Sequence, residues 1–172
     1  LGLSTGLAYA SAFNADTDEV LQLSEELTAF GAVYTTHLRS EFEPVLEAMD
    51  EAFLIGRHAK APVIISHLKC AGAGNWGRSP QLLASLEQAA KTHPVGCDCY
   101  PYAASSSTLD LKQVTDAFRI TITWSTPHPE MGGQDLQAIA GTWGVSLMDA
   151  ARRLQPAGAV YYGMDESDVQ RI

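Results

Sequence analysis

The sequence predicts an α/β protein built on a parallel sheet, and two observations carry that prediction. Short apolar runs alternate with amphipathic helical stretches over the first hundred residues. The runs also recur at a near-constant period. Val33 stands four residues before His37, Val63 four before His67 and Val95 four before Cys99, so successive strand ends fall 30 and 32 residues apart. Strands separated by helices at this spacing pair in parallel through right-handed crossovers. Val63-Ile64-Ile65 is apolar on both alternating faces, as suits a sheet covered on both sides. From periodicity alone, a (β/α)8 barrel and a doubly wound sheet both fit.

Each element follows from its residues. The first is a short apolar strand over 1–4 leading into Gly6. Val20, Leu23, Leu27 and Phe30 lie at helical spacing in a helix over 17–30, with Gly31 as its stop. A strand over 32–36 follows, with His37 at its end. Val45, Leu46, Met49, Ala52 and Phe53 share one face of a helix over 42–57, opposite Glu43, Glu47, Asp50 and Glu51. Residues 62–66 form the next strand, which His67 terminates. Ser79 is the expected N-cap of a helix with Pro80 at its first position and Leu82, Leu83 and Leu86 on its buried face. A strand over 94–99 follows.

After Tyr102 the period breaks. A tract Ser105-Ser106-Ser107-Thr108 precedes an alternating strand over 120–124, a proline-rich turn and two short helices near 134–140 and 146–154. About sixty residues is too long for a plain connection between a strand and a helix. Residues 103–163 therefore read as an insertion over one end of the main fold, 1–102 as the main body and 164–172 as the start of its next helix.

Composition narrows the function classes. The 172 residues are 46% hydrophobic and 18% charged, which is enough apolar matter for a buried core. Eleven basic against twenty acidic residues give a net charge of −9 and argue against a nucleic-acid partner. Residues 1–51 hold ten acidic groups against Arg39 alone, on helices that read as solvated faces. No apolar run approaches the ~20 residues of a membrane span. Three cysteines make no disulfide framework. Both termini read as interior to elements, so a longer protein is expected; without a leader segment, a cytoplasmic location is expected.

His37 and His67 carry the chemistry. Each ends a strand, and the C-terminal ends of parallel strands form the active-site face of a barrel. Residues 33, 35 and 37 share a face of one strand, and 63, 65 and 67 a face of the next. Two imidazoles at matching heights can converge on one metal ion, with a coordination position left for water. The plainer reading, two satisfied polar groups at strand ends, stays open on these residues alone. Lys69 shares the parity of His67 and fits either a substrate carboxylate, a carbamylated metal bridge or an ordinary surface lysine; Arg39 stands in the same relation to His37. Cys97 and Cys99 lack a zinc-knuckle partner pair and read as small packed groups. Gly72-Ala73-Gly74-Asn75-Trp76-Gly77 matches a dinucleotide fingerprint, with Asp98 beyond it. Four residues separate His67 from its first glycine, and Pro80 would fall inside the helix it should open. A flexible loop is the better reading, with a dinucleotide-binding oxidoreductase domain as the rival.

The ordered set Gly2-Leu3-Ser4-Thr5-Gly6-Leu7-Ala8-Tyr9, Thr36-His37-Leu38-Arg39-Ser40-Glu41, Ser66-His67-Leu68-Lys69-Cys70 and Cys97-Asp98-Cys99-Tyr100-Pro101-Tyr102 resembles the N-acyl-D-amino-acid deacylases of the amidohydrolase superfamily. The resemblance extends to Trp124-Ser125-Thr126-Pro127-His128-Pro129. It implies a partial (β/α)8 barrel, about the fourth to seventh strands, with residues 103–163 as a segment over the active site. It implies zinc, one or two ions, with His37 and His67 as ligands. It implies a small-molecule N-acyl amino acid as substrate, Lys69 on its carboxylate and Tyr100 lining the same pocket. Tyr9 and Ser106 join the substrate-binding set, and Tyr161 and Met164 form apolar wall for the acyl group. The family's His-x-His pair, its early metal-binding cysteine and its general-base aspartate have no counterpart here. The resemblance therefore implies amide hydrolysis in the intact protein and no activity for these residues alone. A non-catalytic amidohydrolase-like protein is the remaining alternative.

Overall fold

The computed structural model describes residues 1–172 and divides them into two compact units, 1–101 with 165–172, and 102–164. In the first unit, β1 (Gly2–Gly6), β2 (Val33–His37), β3 (Val63–Ile65) and β4 (Val95–Cys97) form one parallel sheet in sequential order. The alternation of α and β predicted that sheet. Helices α1 (Thr17–Ser24), α2 (Glu26–Phe30), α3 (Val45–Ala59) and α4 (Ser79–Ala90) connect the strands. Tyr34, Val63 and Ile65 project from the sheet into a core shared with Val45, Met49, Phe53 and Leu82 of the helices. Fully burying side chains of this size contributes roughly 1.5–3 kcal/mol each.

Three boundaries depart from expectation for local reasons. The stretch 17–30 is two helices that meet at Glu25, and Gly31 ends the second in the left-handed conformation, at φ 57°. Helix α3 starts at Val45 because Pro44 disfavours helical backbone at Glu43 before it. Ser79 is not the N-cap of α4. It lies inside the first turn, its Oγ is buried without a hydrogen-bond partner, and Arg78 occupies the cap position. The first amide of the helix is met from elsewhere: the buried Asp168 carboxylate, on the terminal helix Glu166–Arg171, accepts from Ser79 N at 3.1 Å and from Gly77 N, just before the helix, at 2.6 Å.

The second unit has a separate core. Strands β5 (Ser105–Thr108) and β6 (Ile120–Ser125) flank β7 (Ala157–Tyr161) in an antiparallel sheet. Helices α5 (Leu136–Trp143) and α6 (Leu147–Leu154) supply Leu136, Ile139 and Leu154, which pack with Ile122, Ala159 and Tyr161. The terminal helix is α7. The Ser/Thr tract is thus an edge strand. The central strand β7 is poor in β-branched residues, and its register requires Gly158, where an added Cβ would meet Trp124 and Thr123. No helix is long and apolar enough to cross a membrane.

Candidate metal centre

The two histidines meet at the C-terminal ends of β2 and β3. His37 Nδ1 lies 3.0 Å from His67 Nε2, with the rings edge to face at 4.6 Å. Two tetrahedral zinc ligands at about 2.0–2.1 Å from the ion sit roughly 3.3 Å apart, so the pair fits a shared cation. Burial holds His37 below the ordinary imidazole pKa; the nearby Glu41 opposes that, and His67 and Lys69 reinforce it. The net effect favours the neutral, ligating form.

Simple strand alternation does not bring them together. In the sheet, Tyr34 pairs with Val63 and Thr36 with Ile65, so His37 is level with Ser66. Continued as a strand, β3 would send His67 to the helix-covered face with Val63 and Ile65, opposite His37. The chain instead turns after Ile65, and His67 adopts φ 43°. That left-handed conformation is unusual for a residue with a Cβ, and it turns the imidazole to the other side. Asp98, just past β4, secures the turn: its Oδ1 accepts from His67 N at 2.6 Å, and its carbonyl accepts from Leu68 N at 2.9 Å.

A buried ionic cluster supports the pair. Lys69 Nζ lies 2.5 Å from Glu41 Oε1 and 2.7 Å from His67 Nδ1, and the same Glu41 oxygen is 2.9 Å from His67 Nδ1. Burial works to raise the Glu41 pKa, but the His67 hydrogen bond and the charges of Lys69 and His37 outweigh it and hold the carboxyl below the usual range. Burial also lowers Lys69, against the pull of Glu41. His37, Glu41 and His67 form a group whose ligand-capable atoms all lie within 4.8 Å of one another.

Other residues singled out in the sequence fall on both sides of this site. Tyr9 stacks at a tilt on His37, ring centroids 4.9 Å apart. Tyr100 is 6.4 Å from His67 by the same measure, and its ring lies 5.3 Å from Lys69 Nζ; burial raises its hydroxyl pKa strongly. Arg39 turns away to Glu51 on α3, at 2.8 and 2.9 Å, so the parallel with Lys69 fails. Ser106, Tyr161 and Met164 belong to the second unit. Ser106 is exposed on edge strand β5. Tyr161 is a core residue whose hydroxyl donates to Thr108 O and accepts from Asp110 N. Met164 is buried. The glycine-rich run 72–77 opens no α-helix and forms only a single 3-10 turn over Ala73–Asn75. Asn75 within it is buried and donates to the carbonyls of Glu41 and Ala71, which fixes the backbone of Glu41. From sequence, Glu41 has no role, and Asp98 has only the acidic position of the disfavoured dinucleotide fingerprint. Their only signal was position, one four residues after His37 and the other between two cysteines.

No protein-family model matches the chain. It does align throughout with known enzymes. It is 45% identical over 172 residues to the D-aminoacylase of Alcaligenes xylosoxydans xylosoxydans, covering all of this chain. The chain is homologous to the D-aminoacylases. An N-acyl-D-glutamate deacylase from the same organism is 44% identical over 173 residues. The chain spans about 36% of the length of each of these curated relatives. A crystal structure of D-aminoacylase, described as defining a novel subset of amidohydrolases, superposes with a TM-score of 0.93 at 46% identity, over 99% of this chain and 36% of that one. An N-acyl-D-glutamate deacylase from Bordetella bronchiseptica, solved with zinc and a phosphonate mimic of the tetrahedral intermediate, superposes at 0.92 and 41% identity over 98% of this chain and 36% of that one. The chain thus has an α/β fold with a parallel sheet, with its histidine pair at the C-terminal end of that sheet.

Proposed function

We propose that the chain forms part of a zinc-dependent hydrolase that cleaves the amide bond of N-acyl-D-amino acids. The observation that carries this reading is the His37–His67 pair, in a chain homologous from end to end to D-aminoacylases. The parallel sheet is read as about the fourth to seventh strands of a (β/α)8 barrel. One solved relative is described as having a binuclear metal center with one-metal activation, and another was solved with zinc. His37 Nδ1 and His67 Nε2 would hold the ion. When bound, zinc activates water as a nucleophile and polarises the substrate carbonyl.

The chain's own side chains supply binding and orientation. The Lys69 ammonium would pair with the substrate α-carboxylate, and Tyr100 would orient that carboxylate from beside it. Tyr9 would wall the site next to His37. The proton of the attacking water needs an acceptor other than Glu41, since Glu41 is already engaged by His67 and Lys69. That general base is assigned outside these residues, in keeping with the chain's share of its relatives' length.

The test is made on the full-length protein that carries this segment. Zinc content and hydrolysis of N-acetyl-D- and N-acetyl-L-amino acids are measured for the parent and His67→Ala. The expected result is hydrolysis selective for the D-isomer, with zinc lost and the rate down at least a thousandfold in the variant. Full zinc content and undiminished activity in His67→Ala would overturn the reading.

A further inference from the structure

The three metal-capable side chains of the cluster do not have equivalent directions. The two nitrogens of an imidazole point away from each other. His67 turns Nε2 toward His37 and Nδ1 toward Glu41. The cluster therefore resolves into two ligands and one carboxylate placed behind one of them. That carboxylate is only 13% exposed, and its Oε1 also receives the Lys69 ammonium, itself 7% exposed.

We propose that Glu41 is a positioning residue that ties the metal-binding and substrate-binding arms of the site to a single oxygen. The proposal rests on the zinc deacylase reading. A neutral imidazole carries one proton, and an acceptor at Nδ1 keeps it there and leaves the Nε2 lone pair for the metal. Lys69 makes this acceptor necessary. Its Nζ is 2.7 Å from the same Nδ1. Without the carboxylate, the ammonium would donate to Nδ1 and drive the proton to Nε2, which cannot then ligate. Glu41 Oε1 accepts from Lys69 Nζ and lies 2.9 Å from His67 Nδ1, a position that draws the ammonium protons away from Nδ1, so that His67 keeps its ligating tautomer and Lys69 keeps its aim. Glu41 is itself held in place, because its carbonyl accepts from Ala71 N and Asn75 Nδ2. Metal affinity and affinity for the substrate carboxylate should therefore fall together when the charge of Glu41 is removed.

The experiment uses the full-length protein and Glu41→Gln, with His67→Ala as control. Zinc affinity is measured by chelator competition, and kcat and KM at saturating zinc with an N-acyl-D-amino acid. Zinc binding in Glu41→Gln is expected to weaken about 10- to 100-fold, the usual effect of losing a ligand's hydrogen-bond partner. KM should rise more than kcat falls, which a purely structural role would not produce. Should the variant fold poorly, imidazole nitrogen NMR of the metal-free parent reads the same point, and protonation at Nδ1 of His67 is expected. Parent-like zinc affinity and KM in Glu41→Gln, with zinc lost in His67→Ala, would overturn the proposal and leave the zinc reading intact. An Nε2-protonated His67 would overturn it as well. Zinc retained by His67→Ala would instead remove the reading beneath it.

Discussion

His67 is the residue on which the site turns. A backbone at φ 43° costs a residue with a Cβ roughly 1–2 kcal/mol, and here that conformation delivers the imidazole to His37. Asp98 is what holds it. Replacing Asp98 with alanine leaves the His67 amide without its acceptor. We expect zinc to bind about tenfold more weakly while helix content is unchanged by circular dichroism; equal affinity would mean that the turn holds itself. Arg39 works differently, because it is committed to packing. Burial raises the pKa of its partner Glu51, but the Arg39 and Thr17 hydrogen bonds and the Arg39 charge prevail and hold it below the ordinary range. A carboxylate depressed in the folded state binds fewer protons there than in the unfolded chain, so folding is favoured above its unfolded pKa of about 4.3. That contribution disappears as pH falls through the lower, folded value. The stability gap between the parent and Glu51→Gln in urea should therefore be widest above pH ~5 and close in more acidic solution. A gap that does not change with pH would mean that the pair contributes nothing through charge.

Helix boundaries are settled by partners outside the helix. Ser79 and Pro80 have the composition of a helix start, yet the amide of Ser79 at the start of α4, and that of Gly77 just before it, are met by Asp168 from α7. Asp168→Ala should cost about 1–3 kcal/mol in equilibrium unfolding, because it leaves buried donors unmet. Ser79→Ala should cost under about 0.5 kcal/mol, since its hydroxyl has no partner to lose. A reversal of the two costs would restore Ser79 as the cap. Strand β7 teaches the same lesson. Its five residues carry little strand signal, and it becomes the central strand because β5 and β6 pair with it on both sides.

Each of the two units encloses its own core, and the histidine pair with its supports lies wholly in the first. Leu154 is fully buried in the second. Leu154→Ala should destabilise that unit by roughly 2–5 kcal/mol. Hydrogen exchange should accelerate in β6 and β7, while β2, β3 and the zinc content of the full-length protein stay as in the parent. Loss of zinc in this variant would show that the metal centre depends on the second unit.

The sequence by itself determined the parallel α/β plan and the identity of the histidine pair. Those features are written in local periodicity and in residue types at fixed offsets. Tertiary structure alone decided how the pair meets. Strand register sets His37 level with Ser66, and a left-handed turn corrects the one-residue difference. It also assigned Glu41 and Asp98, whose partners lie 26 to 31 positions away in the chain. Contacts between distant segments leave no periodic trace, because they depend on where the folded backbone brings each carboxylate.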